Sequence, residues 1–157
     1  MKIKNTFIFF LTLLIGLPAC GFKSMNQLKQ KSYFVQQIAL DGDKRIGYFV
    51  KNEILLSSSP NAESTIDISL TVNKKKEIKE KNISGKITSH KLTLNVDLSV
   101  INVMNSKKIE KKFIKSNNYS VANNHSDTLA NEKKTLENLA EVVTEDIINF
   151  LTMYLNN

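Results

Sequence analysis

Two segments of the chain alternate strictly between apolar and polar side chains. In residues 66–72 every even-numbered residue is aliphatic and every odd-numbered residue is polar, and residues 92–100 repeat this alternation. Successive side chains of a β-strand point to opposite faces, so each segment predicts a strand with one face on a core and the other in water. Over residues 100–103 the phase slips by one, which indicates a bulge or the end of the strand.

Two less regular segments predict the other strands. Residues 33–40 are rich in aromatic and β-branched side chains, and residues 107–121 carry Ile109, Phe113, Tyr119 and Val121 at alternating positions. The segments 66–72, 92–100 and 107–121 follow one another through short connections and therefore predict an antiparallel meander. The first strand is expected to pair with one of the meander strands, and the pattern leaves open which one.

A helical period replaces the alternation in two places. Residues 44–56 follow a candidate N-cap, Asp43, and place apolar side chains on one face. After the polar residues 123–127, a broad apolar stripe runs almost to the end of the chain, with Asp127 or Thr128 as the candidate cap. This second helix is expected to span roughly 26 residues, or about 40 Å.

The predicted element order is β-α-β-β-β-α. A sheet with one apolar face has to be covered, so we expect an α+β fold in which two helices lie on one face of a four-stranded sheet, a two-layer sandwich. We divide the chain into a removed signal peptide (1–19), a lipidated tether (20–31) and a single domain (32–157). A domain of this length buries a modest single core.

The N-terminus has the organisation of a bacterial lipoprotein signal. Lys2 and Lys4 precede the apolar run 7–15, which is too short to span a bilayer, and residues 17–20 read Leu-Pro-Ala-Cys. Leu at −3, Ala at −1 and Cys at +1 form a lipobox, and Cys20 is the single cysteine of the chain. Cys20 is therefore the predicted lipid-attachment site. The alternatives are a secreted protein with an incidental cysteine and an uncleaved signal anchor.

The composition argues for an envelope protein without catalytic chemistry. Removing residues 1–19 takes two of the 22 basic residues and lowers the formal charge from +7 to +5. This balance suits an anionic partner such as lipid, and export argues against nucleic acid. His90 and His125 have no partner at metal-ligand spacing, and no nucleophile motif or phosphate-binding loop occurs. We expect no catalytic residues, no metal and no cofactor, hence not an enzyme.

A basic stretch over residues 74–81 follows the first alternating segment. Its lysines are Lys74, Lys75, Lys76, Lys79 and Lys81. One interpretation is the solvated far end of a long hairpin, where charge discourages edge-to-edge aggregation. The other is a contact site for lipid phosphates, although Glu77 and Glu80 lower the local potential.

In the order of its elements and in several local strings, the chain resembles the LptE (RlpB) family, the lipopolysaccharide-assembly lipoproteins of Gram-negative outer membranes. The strings are Cys20-Gly21-Phe22, "IALDGDKRIGYFVKNEILL", and "NYSVANNHSDTLANEKKTLENLAEVVTEDIINFLTMYL". The resemblance implies the two-helix, four-stranded sandwich. It also implies a plug inside the β-barrel of the partner LptD that assists barrel assembly and lipopolysaccharide insertion into the outer leaflet.

The resemblance further implies anchoring to the periplasmic face of the outer membrane. Gly21, rather than Asp, follows the lipid-attachment cysteine, which favours outer-membrane delivery. Under this interpretation the five lysines of residues 74–81 are candidate contacts for lipopolysaccharide. The alternative function is that of an auxiliary lipoprotein in an envelope phospholipid-transport (ABC-type) system, whose partners would be inner-membrane-linked transport proteins.

Overall fold

Six elements follow one another in the predicted order. The computed structural model describes residues 33–155. These form β1 (Tyr33–Gly42), α1 (Lys44–Leu56), β2 (Ser64–Lys81), β3 (Ile87–Asn102), β4 (Lys108–Ser120) and α2 (His125–Leu155). The predicted signal peptide, the lipid-attachment cysteine and the tether lie outside the described residues.

The four strands form one mixed sheet in the order β1-β2-β3-β4. The pairs β2–β3 and β3–β4 are antiparallel, which confirms the meander. β1 pairs in parallel with β2, and this settles the position that the sequence left open. A parallel neighbour needs a crossover connection, which α1 provides.

The alternation of side chains builds the core on one face of the sheet. The even-numbered aliphatic residues of β2 and β3 are buried, and they form one hydrophobic cluster with the apolar residues of both helices. The odd-numbered residues between them are polar and partly or fully exposed. Both helices therefore cover the same apolar face, and the predicted α+β sandwich is confirmed.

The alternation of buried and exposed side chains in β1 shifts by one residue along the strand. The register with β2 shifts between Val35 and Gln37, so Gln36 is an extra residue in β1. Before the shift Tyr33 and Val35 are buried, and after it the partly buried Ile38 and Leu40 pack against the core. A single inserted residue moves later side chains to the other face, which explains why β1 shows no simple alternation in the sequence.

One predicted boundary is wrong, and one open interpretation is decided. β2 runs nine residues beyond Val72 to Lys81, because its basic half still pairs with β3 although it no longer has an apolar face. This confirms the interpretation of the basic stretch as the far end of a long hairpin. α2 begins at His125, so Asp127 and Thr128 lie inside its first turn and are not the cap. The side chain of Asn124 accepts the N–H of Ser126 (3.1 Å) instead.

Other local expectations are confirmed. Asp43 caps α1, since its carboxylate accepts the N–H of Ile46 at 3.1 Å. The phase slip near residue 100 marks the end of a strand rather than a bulge: β3 ends at Asn102 with unbroken pairing to β4.

Gly42 makes the turn from β1 into α1 possible. Its φ is +82°, and a Cβ there would lie 2.1 Å from the carbonyl oxygen of Val72. That oxygen accepts the N–H of Asp43 at 2.7 Å, so the backbone of β2 cannot move away without losing this hydrogen bond. Gly85, in the turn between β2 and β3, has a similar φ of +80°, but a Cβ there would meet no atom within 4 Å.

We expect Gly42→Ala to lower the free energy of unfolding by at least about 2 kcal/mol, because it combines left-handed backbone strain with a backbone clash. Gly85→Ala is the matched control, since it introduces the strain alone, at about 1 kcal/mol. Urea denaturation of both variants measures the difference. Equal losses would show that the approach of Gly42 to β2 is not a constraint.

Candidate functional site

The predicted lysines lie on a part of β2 that β1 does not reach. The last pair between β1 and β2 joins Gly42 to Val72, so residues 73–81 of β2 pair with β3 alone. We call residues 73–81 and their β3 partners, 87–95, the basic ribbon. Because side chains alternate along a strand, lysines adjacent in sequence point to opposite faces of the ribbon.

Lys74 lies on the helix side of the ribbon and contacts the start of α1. Its ammonium is 2.8 Å from the carboxylate of Asp43, which also caps the helix. The hydrogen bond from Lys74 is the main reason that the pKa of Asp43 lies below its ordinary value; burial opposes this, and the N–H of Ile46 reinforces it. Lys74 therefore joins the ribbon to α1.

Lys76 lies on the same side and contacts α2. Its ammonium is 2.6 Å from the carboxylate of Glu132, which also accepts the hydroxyl of Tyr119 at 2.7 Å. Lys76 lies 5.5 Å from the centre of the Tyr119 ring. The hydrogen bonds from Lys76 and then Tyr119 lower the pKa of Glu132, and the hydrogen bond to Glu132 raises the pKa of Lys76. Together these contacts join the sheet to the start of α2.

The other three predicted lysines are more available to bind a partner. Lys75 points to the opposite face and pairs with exposed Glu77 at 2.9 Å, which lowers the pKa of that carboxyl. Lys79 and Lys81 are exposed, and within residues 33–155 neither makes an ion pair. Of the five candidates, Lys79 and Lys81 are thus the two whose charge is not balanced inside the domain.

A groove that the sequence did not reveal separates α1 from the first half of α2. Its volume is about 420 Å³. Apolar side chains in its lining are Ile46, Phe49, Leu129, Leu136 and Ala140. Charged side chains in the lining are Arg45, Lys74, Glu132, Lys133, Glu137 and Glu141. Phe49 and Leu129 belong to the apolar faces from which the two helices were predicted, but no pattern in one helix shows where it leaves a gap against the other.

The groove is lined by side chains of both charge signs and therefore selects neither anions nor cations. Arg45 of α1 and Glu137 of α2 approach to 4.0 Å, and Lys133 lies 3.8 Å from the same carboxylate. All three side chains are largely exposed.

The two histidines lie in different elements. His90 lies in β3, where its ring is 5.4 Å from that of Tyr119, and His125 begins α2. Over residues 33–155 no three His, Cys, Asp or Glu side chains come together as a possible metal site. Neither described helix is long and apolar enough to cross a membrane.

Neither a protein-family model nor a curated protein matches the chain. Solved structures do match. Rare lipoprotein B from Shewanella oneidensis is 14% identical, with a TM-score of 0.54, over 76% of this chain and 97% of that one. This chain has the fold of rare lipoprotein B. The expected resemblance is thereby confirmed at the level of the fold.

Two further structures have the same arrangement. A candidate lipoprotein from Caulobacter crescentus is 16% identical over 80% of this chain and 91% of its own, with a TM-score of 0.56. The uncharacterized lipoprotein B from Nitrosomonas europaea is 16% identical over 82% of this chain and 90% of its own, with a TM-score of 0.53. At such identities the likeness concerns the fold, and the roles of individual residues rest on the contacts described above.

The Glu132 pair predicts a sign for the pH dependence of stability. Because the folded pKa lies below the ordinary value of 4.5, the carboxylate stabilises the fold above that value, and this contribution is lost as the pH falls through the folded pKa. Glu132→Gln should therefore lower stability by at most about 1 kcal/mol at neutral pH, with a smaller difference in acid.

Glu141→Gln is the control, because Glu141 is an exposed residue of the same helix with no ion pair to another of residues 33–155. Thermal unfolding of the wild type and both variants across the acidic range measures the effect. Identical pH profiles for the two variants would remove Glu132 from the contacts that hold α2 to the sheet.

Proposed function

We propose that this protein is a lipid-anchored lipoprotein of the outer membrane that acts as LptE does. In this role it plugs the β-barrel of LptD, assists barrel assembly and supports lipopolysaccharide insertion into the outer leaflet. The observation that carries the proposal is the rare lipoprotein B fold on a chain with a lipobox at residues 17–20.

The uncovered face of the sheet supports the role of a plug. Its centre carries short polar side chains, among them Ser69 and Asn73 of β2 and Asn95 and Ser99 of β3, which pair across the strands. The interior of a membrane β-barrel is lined by polar groups. These hydroxyls and amides offer hydrogen-bond donors and acceptors to such a wall. The same face also carries charged side chains, among them Asp97 and Lys112, which form an ion pair at 3.2 Å.

A lipid anchor at Cys20 would hold the domain where the barrel assembles. Several acyl chains hold a protein firmly, at about 0.8 kcal/mol for each buried methylene, whereas a single chain holds it weakly. Tethering also raises the effective concentration of the domain near a barrel in the same membrane.

We expect the tagged full chain to co-purify with a large β-barrel protein from detergent-solubilised outer membrane, identifiable as LptD by mass spectrometry. The Cys20→Ser variant should be lost from the membrane fraction, since acyl chains then have no attachment point. Much less of the barrel protein should co-purify with it. Recovery of inner-membrane-linked transport proteins in place of a barrel would contradict the proposal and favour the phospholipid-transport alternative. Unchanged membrane retention of Cys20→Ser would contradict the anchor.

Direct contact with lipopolysaccharide would be made by the free lysines of the basic ribbon. Lys79 and Lys81 are exposed near the turn between β2 and β3, and ammonium groups bind phosphates as point charges. Lys74 and Lys76 are engaged with Asp43 and Glu132, so removing their charge also removes contacts between the ribbon and the helices.

We therefore expect Lys79→Gln combined with Lys81→Gln to weaken lipopolysaccharide binding severalfold without lowering the melting temperature. Lys107→Gln combined with Lys108→Gln removes the same charge from the turn between β3 and β4, at the opposite end of the sandwich, and serves as the control. Binding of labelled lipopolysaccharide at moderate salt measures both. If the two double variants bind lipopolysaccharide equally well, the ribbon lysines serve only as solubilising charges.

A further inference from the structure

Five chain segments meet at one end of the sandwich. The carbonyl of Tyr33, the first residue of β1, accepts the N–H of Ser59, which follows the end of α1, at 3.0 Å. The N–H of Val103, in the turn between β3 and β4, donates to Thr65 near the start of β2 at 2.9 Å. Lys107 of the same turn lies 5.4 Å from the ring centre of Tyr154 at the end of α2. We call this the tether end, because residues 20–32 join the domain here at Tyr33.

The tether end exposes large apolar side chains. Met104 is 78% exposed and Leu56 is 69% exposed. Leu55, Val103 and Met153 are also exposed and lie on the same segments. They come from the end of α1, the turn between β3 and β4 and the end of α2, so the exposure is shared by three elements. Exposed apolar side chains gathered on one surface indicate contact with a protein or a membrane.

The length of the tether favours the membrane as the partner. From Cys20 to Tyr33 there are 13 residue steps, which reach at most about 45 Å when fully extended. β2 alone, with 18 residues, is about 60 Å long. The membrane that holds Cys20 is therefore always within reach of the tether end, whereas the basic ribbon lies at the far end of the sheet.

The charges of the tether end agree with an apolar contact. Lys107 and Lys108 follow the turn that carries Met104, but Lys108 pairs with Glu110 of its own strand. Glu63, just before β2, is also exposed at this end. With both signs present on the folded domain at this end, its own attraction to anionic headgroups is weak, and the exposed methionine and leucine side chains have to supply its contact.

We propose that the tether end is a membrane-contact surface, in which Leu56 and Met104 insert into the interface of the bilayer that holds the anchor. The sandwich then stands on the membrane with the basic ribbon directed away from it. The inference rests on the lipid attachment at Cys20 proposed above, and it concerns the lipoprotein before a barrel encloses it. Apolar side chains at the headgroup boundary bind in proportion to the area they bury.

The chain contains no tryptophan, so a single introduced tryptophan reports one position without background. Three variants of the acylated full chain are needed: Leu56→Trp, Met104→Trp and the control Ile83→Trp. Ile83 is fully exposed in the turn between β2 and β3, at the far end of the basic ribbon. Each variant is reconstituted into vesicles of phosphatidylethanolamine and phosphatidylglycerol, with or without bromine on the acyl chains, and circular dichroism checks its fold.

We expect brominated lipid to quench Leu56→Trp and Met104→Trp severalfold more than Ile83→Trp, with a blue-shifted emission for the first two. Added salt should leave the difference in place, because the contact is apolar. Equal quenching at all three positions, or none at Leu56→Trp and Met104→Trp, would overturn the inference. Intact mass of the same samples reports the acyl chains separately, so a missing anchor, which defeats the proposed function, is distinguished from an anchored domain that does not stand on the membrane.

Discussion

The alternation of side chains in β2 and β3 is the constraint on which the rest of the structure depends. Every aliphatic residue between Ile66 and Val72, and between Leu92 and Val100, points to the same face of the sheet. A slip of one residue would expose all of them at once, so the register is strongly specified. Two consequences follow: the helices must cover this face, and the opposite face remains polar and uncovered.

The basic half of β2 shows how a charged segment can stay ordered without an apolar face. It keeps its hydrogen bonds to β3, while Lys74 and Lys76 pair with Asp43 and Glu132 of the helical layer. These ion pairs join both helices to the ribbon at the place where β1 ends. Within the basic half of β2, the lysines that form no ion pair with another of residues 33–155 are Lys79 and Lys81, closer to the turn.

The sequence contains enough information for the element order and for the meander, because strict alternation and the helical stripes are local signals. The N-cap Asp43 could be identified for the same reason. The parallel position of β1 could not, since Gln36 disturbs its phase and pairing between distant strands leaves no local pattern. The continuation of β2 to Lys81 could be stated only as one of two interpretations, because its pairing with β3 is a backbone property that charged side chains do not reveal.

The candidate site, too, could be predicted from the sequence only in part. The lysines are visible in the sequence, but their separation into Lys74 and Lys76 on one face and Lys75 on the other appears only once residues 73–81 are recognised as a strand. The partners of two of these lysines come from distant elements: Glu132 is 56 residues from Lys76. The groove between α1 and α2 depends on how closely two helices pack, which no single stripe determines.

The central claim is that the uncovered polar face of the sheet is enclosed by a polar-lined partner in the membrane. Ser99→Cys on that face provides the most direct measurement, because the only natural cysteine is Cys20, whose thiol the proposed lipid attachment consumes. We predict that a maleimide labels Ser99→Cys much more slowly in intact outer membranes than in the purified, separated protein. Equal labelling rates in the two states would contradict the claim.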